Sequence, residues 1–165
     1  MGVPHTAYSA AKFAVKGFTE ALMTDLRLNA PHIKCSVVMP GHIGTSIVSN
    51  SRRIQSGTES DELSPNEIQA TRQRLNGMGV DTKPMSDEDI QKIALDRARS
   101  FRDEAPTTAA AAAKIILDGV KAERRRILVG DEAHKLDERV RKTPEKAYTP
   151  EFFRSFAEEV GWRLG

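Results

Sequence analysis

Only two runs of this 165-residue chain read as β-strands, 33–39 and Arg126–Val129, and helical patterns lie before, between and after them. The core of the first, Cys35-Ser36-Val37-Val38-Met39, is almost continuously apolar, as in a strand covered on both faces. Pro40-Gly41 stops it. The second run, Arg126-Ile127-Leu128-Val129, closes on Gly130. Strands alternating with helices predict an α/β fold with a parallel sheet. A parallel pair alone is weak and leaves open edges. Two strands that read as doubly buried therefore call for neighbours that these residues do not supply. The expectation is a partial domain, with the rest missing or contributed by another chain.

The helical patterns divide the remainder. Residues 7–29 are rich in good helix formers, with Val15, Phe18, Leu22 and Leu26 at steps of three and four, and end at Asn29-Ala30-Pro31. Residues 46–105 are polar and carry two helix-start signatures, Ser64-Pro65-Asn66-Glu67 and Ser86-Asp87-Glu88-Asp89. The second opens a helix with Ile90, Ile93, Ala94, Ala98 and Phe101 on one side. So long a stretch between core elements is usually functional. Pro106-Thr107-Thr108 opens a helix built on Ala109–Ala113, for which Ile115, Ile116 and Val120 supply the expected packing face. Asp131 is expected to cap a helix to about residue 141. Thr149-Pro150 starts a last one, with Phe152, Phe153, Phe156 and Val160 on its apolar side. The count is two strands and about six helices.

Charge excludes several partners. With 25 basic and 23 acidic side chains the net charge is +2, so neither nucleic acid nor an anionic membrane is an expected partner. Arg124-Arg125-Arg126 reads as a solvated approach to a strand. The single cysteine, Cys35, forms no internal disulfide and reads as a buried core thiol, which suits a reducing cytosol. No signal-peptide pattern and no apolar run of ~18–20 residues is found, so a cytoplasmic location is expected. His5, His32, His42 and His134 lack metal-ligand spacing, and no metal site is expected.

Tyr8 and Lys12 stand four apart on a predicted helix, one above the other on a single face. Free tyrosine titrates near 10 and is a poor base at neutral pH. An ammonium within ~4–6 Å favours the phenolate, and a tyrosine tuned in that way can pass a proton to or from a hydroxyl or carbonyl. On spacing alone, the pair is also an ordinary helix-surface pair.

Tyr8-Ser9-Ala10-Ala11-Lys12-Phe13-Ala14-Val15, followed by Gly17 and Phe18, resembles the active-site helix of the short-chain dehydrogenases/reductases. Pro40-Gly41-His42-Ile43-Gly44-Thr45 is similar to that family's P-G-x-I-x-T loop, and Arg126–Asp131 resembles its last strand and following turn. The resemblance implies the C-terminal half of a Rossmann-like, doubly wound parallel sheet, with the N-terminal half missing. It implies an NAD(P)-dependent alcohol/ketone oxidoreductase using NAD or NADP, acting on a small-molecule alcohol or carbonyl substrate. Tyr8 would be the general acid/base, and Lys12 would lower its pKa and bond the nicotinamide ribose. Pro40, Gly41 and Ile43 would meet the nicotinamide, and Thr45 would bond the cofactor through its hydroxyl. The division of the chain would be an active-site helix (7–29), strand and cofactor loop (33–45), substrate lid (46–105), helix–strand–helix (106–142) and C-terminal helix (143–165). Helix 7–29 would make subunit contacts in a homo-oligomer. Pro40-Gly41 lies at the carboxyl end of a strand, where open α/β sheets bind ligands. A simple turn at Pro40-Gly41 and a helix cap at Thr45 are the blander readings.

The departures are as specific. The glycine-rich fingerprint after a first strand is not found, and Gly77-Met78-Gly79 follows no strand and lacks a third glycine. The family's catalytic serine lies well upstream of its tyrosine, whereas seven residues precede Tyr8. Its catalytic asparagine is not found either. Met1 reads as an internal methionine of the loop leading into the helix. Ser9-Ala10-Ala11-Lys12 also spells S-x-x-K, but the S-D-N and K-T-G boxes of the penicillin-binding enzymes are not found. Two functions remain: a shortened oxidoreductase inactive on its own, or a non-catalytic half-domain that oligomerises or binds a partner.

Overall fold

The computed structural model describes residues 6–161. Met1 and His5, both considered above, lie outside the described residues. In chain order the elements are α1 (Thr6–Asn29), β1 (Val37–Pro40), β2 (Ile43–Gly44), α2 (Ile47–Ser56), α3 (Pro65–Gly77), α4 (Asp87–Asp103), β3 (Thr107–Thr108), α5 (Ala109–Lys121), β4 (Arg126–Val129), α6 (Asp131–Lys142), a 3-10 turn (Pro144–Lys146) and α7 (Pro150–Glu159). The fold is α/β, with a small two-stranded parallel sheet and, among the described residues, seven α-helices. None of them is long and apolar enough to cross a membrane.

The described chain forms two compact units, one of residues 44–106 and one of 6–43 with 107–161. The second contains the sheet. β1 and β4 run parallel, Val37 opposite Arg126 through to Pro40 opposite Val129. The pairing extends past the strand ends, with Val37 N–H donating to Arg125 C=O (2.9 Å) and Gly41 N–H to Val129 C=O (2.8 Å). Ile127 and Val129 form the core with Ala112, and Ile43 and Ile116 pack against it. β2 pairs with β3 as a second short ladder.

Several sequence expectations change. The first strand is Val37–Pro40 rather than 33–39 and is covered on one face: Val37 is buried while Val38 is 37% exposed. β4 likewise alternates, burying Ile127 and Val129 alone. Among the described residues each of the two strands has one strand neighbour, and each buries alternate residues, so neither is covered on both faces. Cys35 falls before β1 and is half-buried, not a core thiol. On α5 the packing face is Ala112, Ile116 and Gly119; Ile115 and Val120 are exposed. Small residues win because the helix approaches β4 closely: a Cβ on Gly119 would lie 2.7 Å from Ile127 Cδ1. On α7 Phe152, Phe156 and Ala157 are buried and Phe153 is exposed. Gly130, not Asp131, stands at the N-cap of α6 and makes no side-chain cap bond.

The other unit is helical. Both capping boxes form as expected, Ser64 with Glu67 on α3 and Ser86 with Asp89 on α4. α4 buries Ile90 and packs against α2 and α3. The sequence reading missed α2 altogether. Its Ile-Val-Ser-Asn-Ser start has weak helix propensity, and Ser46 before it makes no side-chain cap bond.

Candidate functional site

α1 sets Tyr8 and Lys12 one turn apart. Lys12 Nζ lies 5.2 Å from the centroid of the Tyr8 ring, over its face, an arrangement worth about 0.5–1 kcal/mol at an exposed site. Tyr8 is 62% exposed, so the phenol is accessible from solvent. The stripe beneath is less buried than its spacing implied. Val15 and Phe18 face solvent, Leu22 and Leu26 are half-buried, and Met23 is buried. α1 packs against β1, whose carboxyl end carries the second group of expected residues.

That group is held by backbone. Pro40 ends β1, and the Gly41 N–H bond to Val129 carries the ladder one residue further, so Pro40-Gly41 is more than a simple turn. The next amide, His42 N–H, donates to Glu132 Oε1 at 2.6 Å. Ile43 begins β2, which pairs with β3, and packs on the core through its side chain. Thr45 falls in the other unit. It does not cap α2, whose N-cap is Ser46, so the blander reading of Thr45 is removed.

Glu132 was passed over in the sequence in favour of its neighbour Asp131. It is 5% exposed, and its side chain lies against Gly41 and Gly130. The available signal was an acidic residue immediately after the carboxyl end of a parallel strand, beside a P-G loop. The arrangement as a whole offers an exposed phenol with an ammonium over its ring, and a stiffened strand end presenting backbone groups. Those are means of moving a proton and of holding a planar polar ligand.

A short chain dehydrogenase family model matches residues 1–56. A SadH oxidoreductase of Mycobacterium tuberculosis is 47% identical over 45 residues, 27% of this chain and 16% of that protein. A 3-ketodihydrosphingosine reductase of Bacteroides thetaiotaomicron is 45% identical over 51 residues, 30% of this chain and 18% of that protein. The matched stretch thus spans less than a fifth of either relative. No solved structure matches. The family match ends before Arg126–Asp131, the third segment of the resemblance. The family match takes in the two segments of the resemblance that carry Tyr8, Lys12 and the Pro40–Thr45 loop, so over residues 1–56 this chain is similar to the short-chain dehydrogenases/reductases, as expected.

Proposed function

We propose that this chain supplies the proton-transfer and nicotinamide-facing part of an NAD(P)-dependent alcohol/ketone oxidoreductase, as the C-terminal half of a Rossmann-like domain. The observation that carries the reading is the exposed Tyr8 phenol with the Lys12 ammonium over its ring, on the segment that matches the family. The nicotinamide cofactor used throughout that family, NAD or NADP, would accept or donate the hydride. The residues present fit its nicotinamide–ribose end: a hydroxyl, an ammonium, and backbone groups at Pro40, Gly41 and Ile43, with the Thr45 hydroxyl as a further donor. Tyr8 would give or take the substrate oxygen's proton. Lys12 would bond the ribose. Residues 46–105 would be the substrate-selecting segment, acting on a small alcohol or carbonyl compound.

The 165 residues hold no glycine-rich strand–helix turn for a pyrophosphate. The chain alone is therefore expected neither to bind NADH or NADPH tightly nor to turn over. Amide NMR of the chain titrated with each nucleotide at millimolar concentration tests this. Shifts at Ile43, Thr45 and the Tyr8–Lys12 turn that remain unsaturated support the reading, and Tyr8→Phe should weaken those on α1. Shifts confined to other residues, or saturation in the low micromolar range, would overturn it.

A second reading rests on a separate observation. Val15 and Phe18 of α1 are 65% and 69% exposed, an apolar surface suited to a second copy or a related subunit. On that reading the chain is a binding half-domain, and Tyr8→Phe would leave its association unchanged.

A further inference from the structure

Among the described residues Glu132 is the one carboxylate buried, and the proton transfer proposed above makes no use of it. Burying a carboxylate is costly unless hydrogen bonds or a favourable potential offset the lost water. Both are present. His42 N–H donates to Oε1 at 2.6 Å, and Glu132 sits in the first turn of α6, where free N–H groups and the helix dipole favour negative charge. The room for it comes from two glycines on neighbouring strand ends. A Cβ at Gly41 would overlap Oε1 and lie 2.7 Å from Glu132 Cγ. A Cβ at Gly130, whose φ is +95°, would lie 2.9 Å from both carboxylate oxygens. Gly41 is thus a glycine here because a carboxylate occupies the space its side chain would need.

We propose that Glu132 is the positioning residue of the 40–43 loop. Its carboxylate bonds the His42 amide and fills the space beside Gly41, and so fixes the backbone that presents Ile43. The consequence for cofactor binding rests on the reading of Pro40–Ile43 as the nicotinamide-facing loop; the clamp itself does not.

The test is amide hydrogen exchange of the full chain, read at His42 with Leu128 of β4 as internal reference. In Glu132→Ala the His42 amide should lose protection by about ten- to a hundredfold, the equivalent of one hydrogen bond to a charged group, with Leu128 unchanged. Glu132→Gln keeps an acceptor oxygen at the same reach and should retain most of the protection. Gly41→Ala should lower protection in the wild-type background and add nothing in Glu132→Ala, where the three atoms nearest to its Cβ, Glu132 Oε1, Cδ and Cγ, are gone. NADH-induced shifts at Ile43 should shrink in Glu132→Ala and return in Glu132→Gln. Unchanged His42 protection in Glu132→Ala, or additive effects of the two alanines, would overturn the clamp. If wild type shows no NADH shift at Ile43 while Glu132→Ala still exposes the His42 amide, the clamp stands and the cofactor reading falls. Should Glu132→Ala fail to fold, the comparison passes to Glu132→Gln and Gly41→Ala. Protection kept in Glu132→Gln and lost in Gly41→Ala supports the clamp, and equal protection in both counts against it.

Discussion

Arg52 and Glu67 form a forked pair inside the helical unit. Arg52 Nε donates to Oε1 at 2.8 Å and a terminal nitrogen donates to Oε2 at 3.3 Å, while the same guanidinium bonds the carbonyls of Ser60 and Glu62. The Arg52 hydrogen bond, and after it the Ser64 N–H, hold the Glu67 carboxyl at about 2 instead of 4.5. A carboxyl depressed on folding lends stability that is fully present above its unfolded value and is lost as pH falls through the folded one. The unit should therefore weaken progressively between about pH 4.5 and 2. Urea unfolding midpoints across that range should fall less steeply in Glu67→Gln than in wild type; parallel slopes would refute the assignment. The capping half of this cluster was legible in the sequence because Ser64 and Glu67 are three apart. The Glu132–His42 bond was not, because its partners are 90 positions apart and no local pattern pairs them.

The two helical glycines Gly17 and Gly119 have opposite surroundings. Nothing lies within 4 Å of a Cβ on Gly17, whereas one on Gly119 would meet three Ile127 side-chain atoms, the nearest at 2.7 Å. Gly17→Ala should stabilise by about 0.5–1 kcal/mol through backbone entropy and propensity. Gly119→Ala gains the same propensity but overpacks a close contact, at a cost of about 1–3 kcal/mol, and should be net destabilising. Chemical denaturation of both variants checks the pair, and Ile127→Val should relieve the second. The same contact explains why α5 was misread: periodicity finds large apolar residues, and close helix–strand packing selects small ones. α2 was illegible for another reason. It is fastened to residues outside its own sequence, through Arg52 to Ser60, Glu62 and Glu67 and through Arg53 to Glu59 and Asp61.

Across the molecule the α/β class and the order of α1, β1, α5, β4 and α6 could be read from apolar periodicity and breakers. The depth of burial could not, since it depends on how many elements cover each face. The outward-facing residues of α1 give the prediction at this scale. Covering a phenylalanine contributes about 1.5–3 kcal/mol, so Phe18→Ser should weaken any self-association through α1 by about ten- to a hundredfold. Size-exclusion chromatography with light scattering over a concentration series reads this, and identical profiles for both proteins would place the contact elsewhere.

The sheet joins residues far apart in the chain: Ser36 Oγ bonds the carbonyl of Arg124, 88 positions away. From the standpoint of β1 and β4, the unit at 44–106 is one long closed loop. Closing a loop grows costlier only with the logarithm of its length, about 0.6 kcal/mol for each doubling. The strand register can therefore remain as it is while the intervening segment lengthens, shortens or is exchanged, provided β2 and β3 still meet. In that sense the chain is a fixed frame with a replaceable insert, free to diverge in one part without disturbing the other.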